Sequence, residues 1–266
     1  MENSSIKERV FMDHNTVKEQ YNSMSFFYDV LYASYNLKDF EDEFLNKNKE
    51  LLASLPKDAK ILDSACGKGV QAAALKKEGF DVTATDISEE MINLTKEYAE
   101  KNNLSIPTKC LAWEELPSEF DDIFDVVFCW GNSISHSQSK EEMMRNLSSF
   151  YQVLNYGGKL VVHSRNWEKV LYKMKKYQTL PVREYDNKKY IPVYNWKLTD
   201  FEQKSSVDIL FIEIKEYQNT NYNKFKLEFV PFAYLDLIDR LKDKGFQVIR
   251  NNYKKDNDFY HILAEK

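Results

Sequence analysis

The chain predicts an α/β fold: a Rossmann-like, mainly parallel sheet with helices on both faces, an N-terminal helical cap and an inserted antiparallel β lobe. Three observations predict it. A short apolar run at 59–62 leads into the small-residue turn Asp63-Ser64-Ala65-Cys66-Gly67-Lys68-Gly69, and then into the helix-forming stretch Val70-Gln71-Ala72-Ala73-Ala74-Leu75. A second apolar run, Val82-Thr83-Ala84-Thr85, closes on the carboxylate of Asp86 about twenty residues after the turn, the spacing of a strand-helix-strand unit. Strand-like and helical periods then alternate through five strands, and the alternation stops after Trp167.

Taken in order, residues 1–20 are polar and are expected to be partly mobile. From 21 to 55 the apolar residues Phe27, Leu31, Phe40, Phe44, Leu51 and Leu52 recur at helical spacing, which predicts two amphipathic helices. Strand 59–64, helix 68–79, strand 81–86 and helix 88–102 follow. Ser88 caps the last of these, with Glu89 and Glu90 in its first turn and Met91 and Leu94 turned inward. A short strand at 108–111 precedes Phe124-Asp125-Val126-Val127-Phe128-Cys129, whose near-continuous apolar run suits a central parallel strand. Helix 140–154 and strand 158–163 complete the alternation. Segments 180–195, 206–218 and 223–231 are rich in Tyr, Val, Ile and Phe with no helix between them, which predicts the antiparallel lobe. Helix 232–244, stopped by Gly245, and strands 246–253 and 259–264, split by Asp256-Asn257-Asp258, return to the parent sheet. The expected organisation is a helical cap (1–55), a nucleoside-binding core (56–167), the lobe as a substrate lid (168–231) and a closing helix and hairpin (232–266).

Composition excludes several function classes. With 266 residues and 43% hydrophobic content the chain can bury a large core, and its net charge of -5 disfavours a broad grip on nucleic acid. Three cysteines, Cys66, Cys110 and Cys129, make neither a disulfide framework nor a metal-ligand spacing; they suit buried reduced thiols in a cytoplasmic protein, with no metal. No apolar run has the length of a signal segment or a membrane span, so no membrane association is expected.

The chemistry concentrates at the strand tips, where ligands sit in open parallel sheets. Glycines in the bend let backbone approach a ligand, and Asp86 is placed to accept both hydroxyls of a ribose. The third glycine of a dinucleotide site is missing, and Asp63 beside the bend repels a pyrophosphate but favours a sulfonium and an α-ammonium. Ala112 and Trp113 end the third strand as candidate adenine contacts, with core packing the alternative for Trp113. The fourth strand runs into Trp130-Gly131-Asn132-Ser133-Ile134-Ser135-His136, and the fifth into His163-Ser164-Arg165-Asn166-Trp167. Polar residues that end two buried strands point to function. The plainer alternative has Asn132 and Ser133 capping a turn, His136 exposed and Arg165 paired with a surface acid.

The pattern Asp63-x-Ala65-Cys66-Gly67-x-Gly69, answered by Asp86, resembles the first two motifs of the class I S-adenosylmethionine-dependent methyltransferases. The resemblance implies a seven-stranded methyltransferase sheet and S-adenosylmethionine as cofactor, leaving S-adenosylhomocysteine. The expected cofactor contacts are Asp63, Ala65, Gly67, Gly69, Asp86, Ile87, Ala112, Trp113 and Trp130. Gly131-Asn132-Ser133-x-x-His136, Arg165-Asn166-Trp167-Glu168, Glu19-Gln20-Tyr21, Leu31-Tyr32 and Lys224-Phe225-Lys226-Leu227 resemble the glycine N-methyltransferase branch, bacterial glycine/sarcosine enzymes included. That branch implies that Arg165 binds a substrate carboxylate, Asn132 positions the substrate, Tyr21 touches the cofactor and Tyr32 lies near the substrate. His136 or His163 is a candidate proton relay, with bulk solvent the alternative. Two departures stand out: 28–50 contains no Arg to hold the methionine carboxylate, leaving Lys38 or Lys47 as substitutes, and Glu228-Phe229-Val230-Pro231 replaces the tyrosines that follow the matching strand. The resemblance therefore implies N-methylation of an amino acid or related small amine. O- or C-methylation of a larger metabolite and a non-catalytic cofactor-binding subunit are the alternatives.

Overall fold

The computed structural model describes residues 8–10, 16–33, 35–120, 123–214 and 221–266. Strand β1 (Glu8–Val10) comes first, then helices α1 (Val17–Tyr32) and α2 (Leu37–Ser54). The core continues as β2 (Lys60–Ser64), α3 (Val70–Lys77), β3 (Asp81–Asp86), α4 (Glu89–Lys101), β4 (Thr108–Cys110), α5 (Leu116–Glu119), β5 (Phe124–Cys129), α6 (Lys140–Val153) and β6 (Leu154–Arg165). After α7 (Trp167–Lys173) come β7 (Tyr177–Thr179), β8 (Arg183–Tyr185), β9 (Lys188–Lys197), β10 (Ser205–Ile214) and β11 (Asn221–Phe229). The chain ends with α8 (Tyr234–Asp243), β12 (Gln247–Asn251) and β13 (Phe259–Glu265).

Two sheets result. One has seven strands in the order β12-β13-β6-β5-β2-β3-β4; β13 alone runs antiparallel to its neighbours. Strand order reverses between β2 and β5, which opens a crevice above their carboxyl ends. The other sheet pairs β1, β11, β10, β9 and β7, with β8 also on β9. One apolar core joins them. It holds Met24, Phe27 and Val30 of α1, Val127 of β5, Leu147 and Phe150 of α6, and Trp196, Phe211, Phe225 and Phe229 from the second sheet. A second cluster packs α2 and α3 on the opposite face, through Phe44, Leu51, Leu75, Val126 and Phe128.

The central elements follow the sequence reading closely, because burial on both faces leaves an unbroken apolar signal. The Ser88 hydroxyl accepts from the Met91 N–H at 3.2 Å, as its cap position predicts. Differences lie where tertiary pairing overrides local pattern. The expected single strand at 180–195 is two strands, because Asp186 and Asn187 take φ of 50° and 56° and turn β8 back on β9; the short β7 ahead of it was not foreseen. Helix α7, the Trp113–Glu115 3₁₀ turn and α5 were not foreseen. Within the expected mobile stretch 1–20, residues 8–10 pair in parallel with β11 and α1 begins at Val17; residues 1–7 and 11–15 lie outside the described residues. The last part of the expected strand 206–218, from 215 on, also lies outside them. Helix α8 starts at Tyr234 rather than 232, because Ala233 is still extended (φ -73°, ψ 151°) and serves as its N-cap.

Candidate active site

The bend after β2 is built from left-handed backbone. Ala65, Gly67 and Gly69 have φ of 65°, 54° and 78°. A Cβ on Gly69 would sit 2.7 Å from the Thr95 methyl of α4, so only glycine fits where α3 starts. Thr95 in turn donates to the Gly67 carbonyl at 2.8 Å and fixes the bend from below. Asp86, at the tip of β3, accepts the Gly67 N–H on one oxygen and the Ser88 N–H on the other, both at 2.9 Å. Each oxygen keeps a lone pair toward the space above. Burial pushes the Asp86 carboxyl up to about 6, against those two backbone donors. Asp63 lies deeper, 1% exposed, with one oxygen unpartnered, and burial raises it to about 7.

Above these strand tips lies a cavity of about 500 Å³. Its lining includes Ala65, Gly67, Asp86, Ile87, Ala112, Trp113, Trp130 and His136, together with Tyr21, Tyr28 and Tyr32 from one face of α1. Trp113 serves both readings, since it lines the cavity and packs edge-on against the buried Phe150. The volume suits a nucleoside-sized ligand. A carboxylate with free lone pairs at one end and an approachable backbone bend at the other fit an adenosine-type ligand with a charged tail. Lys38 and Lys47, the substitutes expected for the missing arginine, do not line this cavity; Lys47 pairs with Glu43 at 2.5 Å.

His136 and Tyr21 form a fixed pair at the roof. The Glu228 carbonyl, 2.8 Å from Nδ1, can only accept, so Nδ1 carries the proton. Nε2 is then the acceptor for the Tyr21 hydroxyl at 2.9 Å. Burial lowers His136 to about 4 and raises Tyr21, so both are neutral at pH 7. The exposed His136 of the plainer reading is thus not what the fold produces.

Asn132 does not reach the cavity lining. Its φ is 72°, and its side chain is engaged inside the protein: Oδ1 accepts the Arg165 N–H at 2.9 Å and Nδ2 donates to the Ser135 hydroxyl at 2.8 Å. Asn132 therefore ties the tip of β5 to that of β6 and sets where Arg165 begins. The Arg165 guanidinium lies 4.7 Å over the Phe259 ring and 5.6 Å over Trp196. Among the described residues it has no hydrogen bond and no ion pair. Asp258, the nearby acid, is taken by Lys169 at 2.8 Å. The surface pairing weighed for Arg165 is thus not formed. His163 is also neutral, lowered to about 3 by burial, and is sandwiched between Trp130 and Phe259.

Sequence reasoning missed Tyr28, whose hydroxyl is 3.5 Å from the position a Gly67 Cβ would take. The α1 spacing of Tyr21, Tyr28 and Tyr32 was the available signal. It also missed Tyr194 of β9, whose buried phenol rises to about 12 with Arg165 and Tyr32 in electrostatic reach. Strand register across the lobe, which places Tyr194, is not legible locally.

Comparisons with known proteins bear on the family and the fold. Residues 61–158 match a family model described as a methyltransferase domain. A glycine/sarcosine N-methyltransferase of Aphanothece halophytica is 34% identical over 112 residues, 42% of each chain. A ubiquinone biosynthesis O-methyltransferase of Coxiella burnetii is 32% identical over 114 residues, 42% of this chain and 47% of that one. The matched region is less than half the length of these curated relatives. An S-adenosylmethionine-dependent methyltransferase from Clostridium acetobutylicum superposes with a TM-score of 0.71 at 18% identity, covering 92% of this chain and 98% of that one. A sugar N-methyltransferase from Streptoalloteichus superposes with a TM-score of 0.72 at 15% identity over the whole of both chains. These two likenesses bear on the fold.

Proposed function

By its core this chain belongs to the class I S-adenosylmethionine-dependent methyltransferases, and we propose that it methylates the nitrogen of an amino acid or related small amine. The cavity supports Asp86 as the ribose acceptor, Ala65 and Gly67 as the cradle of the methionine tail, and Ile87, Ala112 and Trp113 as the adenine wall. Bound there, S-adenosylmethionine supplies a methyl group already activated for direct attack. The chain's own residues then have to orient the acceptor, keep water out and receive a neutral amine.

One observation carries the amine reading: the Arg165 guanidinium is held by aromatic rings and left without a hydrogen-bond or ion-pair partner among the described residues. Guanidinium geometry matches a carboxylate in a bidentate grip, and a partly buried cation without a counter-charge gains when a ligand provides one. Asn132 acts one step back, as the residue that positions Arg165. Tyr32 and Tyr194 supply phenols on the acceptor side in place of those missing after β11. His136 is not the base in this reading, because its one acceptor nitrogen is occupied and its proton affinity is too low. An amine with a pKa of ~10 loses its proton to solvent before attack.

The test is release of S-adenosylhomocysteine over a panel of amino acids, biogenic amines and phenols. Activity on amines that carry an acid is expected. Arg165→Met should raise the acceptor KM at least tenfold and leave S-adenosylmethionine affinity within twofold. Turnover of phenols alone would transfer the reading to O-methylation, the chemistry named for the Coxiella relative.

A further inference from the structure

The second sheet carries a buried arginine that no acid among the described residues neutralises. Arg183 of β8 is 4% exposed. Its Nη2 donates to the Tyr35 hydroxyl at 2.8 Å, its guanidinium lies 4.5 Å over the Tyr35 ring, and its Nε has no partner. Among the described residues no acid pairs with it. Two acids of this region are committed elsewhere: Asp29 to Lys68 and the Tyr185 hydroxyl, Glu213 to Lys188. Strand register places it on the same face of the lobe as the ring that Arg165 lies over. Arg183 stands opposite Tyr190 on β9, and Tyr190, Tyr194 and Trp196 share one face of that strand. Arg165 lies on Trp196, at the far end of the row. Tyr194, between them, is in electrostatic reach of both guanidinium groups and of the cavity-lining Tyr32, and its hydroxyl has no partner among the described residues.

We propose that Arg183 is a second anion-binding residue of the acceptor pocket, and that the methyl acceptor carries two separate acidic groups, one for each arginine. The class this describes is an amino dicarboxylate or an amine of equivalent charge. The inference rests on the amine reading for the methylated atom only; the pair of anion sites is independent of it. A buried guanidinium is tolerated when its counter-charge arrives with the ligand, and two of them flanking one phenol ask for two such charges.

Calorimetry on the protein saturated with S-adenosylhomocysteine separates the two claims. The probes are malonate, succinate and glutarate against monocarboxylates of equal carbon count, with inorganic phosphate as a dianion in a single group. The best dicarboxylate is expected to bind at least tenfold tighter than its monocarboxylate. Arg183→Met should abolish that advantage, Arg183→Lys should retain part of it, and Arg165→Met should weaken both probe types. A melting curve close to the wild type qualifies each variant. Equal affinities in the wild-type protein overturn the proposal without any variant, as does an advantage that survives Arg183→Met in a folded protein, or phosphate binding as tightly as the best dicarboxylate. A dicarboxylate advantage with no methyl transfer to any amine would leave the two sites standing and sink the amine reading. Methylation of mono-acidic amines with no such advantage would do the reverse.

Discussion

At the scale of single residues, the site is governed by which polar groups burial has made neutral. Asp86 holds its proton up to about pH 6 in the free protein. Two ribose hydroxyls need the ionised carboxylate, so binding must drive that proton off. Affinity for S-adenosylmethionine should therefore fall as pH drops through 6, by up to about tenfold per unit. Calorimetry at pH 5, 6, 7 and 8 checks this, and Asp86→Asn should bind weakly throughout and lose that slope. His136 gives the opposite forecast. Protonated only near pH 4, it has no titration to contribute between pH 6 and 9. With an amine acceptor kcat/KM should rise over that range in the wild type and, in parallel, in His136→Phe. The substitution strands the Tyr21 hydroxyl and the Glu228 carbonyl, so about 1–3 kcal/mol of stability is lost instead. An acidic limb that disappears in the variant would make His136 the base after all. Asp86 and Gly67 were legible in the sequence because a strand-turn-helix leaves few places for a terminal acid and a glycine bend. The place of Asn132 at a strand tip was legible, but its link to the Arg165 backbone was not, since that depends on the distance between two strand tips.

Elements place these residues, and the bend between β2 and α3 is the tightest constraint. A Cβ at Gly69 meets the Thr95 methyl, and the backbone there is left-handed. Gly69→Ala should cost about 2–4 kcal/mol, from the left-handed penalty together with overpacking. In a chain of this size that is a fall in Tm of roughly 5–12 °C. Because Thr95 also holds the Gly67 carbonyl, cofactor affinity should fall with stability. Adding Thr95→Ser removes the clashing methyl and keeps the hydroxyl, so the double variant should recover part of both losses. Thermal melts and cofactor titrations of the two variants decide it; no recovery would mean that backbone strain alone explains the glycine. Elements of this kind, with a fixed turn between two buried runs, were readable from the chain. The hairpin of β8 and β9 was not: its Asp186-Asn187 turn is a two-residue signal inside a run whose composition is strand-like throughout. That lost register is also why Arg183 and Tyr194 went unnoticed.

For the whole molecule, the question is whether the second sheet is a separate body. The sequence change after Trp167 predicts an inserted lobe, and the second sheet is there. Its inner face, however, does not have a core of its own. Phe27 of α1 stands 4.7 Å from the Phe211 ring and 5.0 Å from Phe225, and its apolar cluster continues without a break through α6 to β5 and β6. The N-terminal strand β1 adds to the edge of the same sheet, so chain from both ends of the core holds the lobe in place. Two sheets that share one apolar interior lose it together, since opening either exposes side chains of both. Unfolding in urea should therefore be a single transition, with far-ultraviolet circular dichroism and tryptophan fluorescence coincident. The fluorescence samples both sheets, through Trp130 beside the cavity and Trp196 of β9. Phe27→Ala removes a ring at the junction and should cost about 3–4 kcal/mol. Its transition should move to lower urea while remaining single, because the cavity weakens the shared interior rather than one sheet. Two separated transitions in the variant, the second at the wild-type midpoint, would mean instead that the seven-stranded sheet stands alone and the second sheet is an accessory that folds upon it.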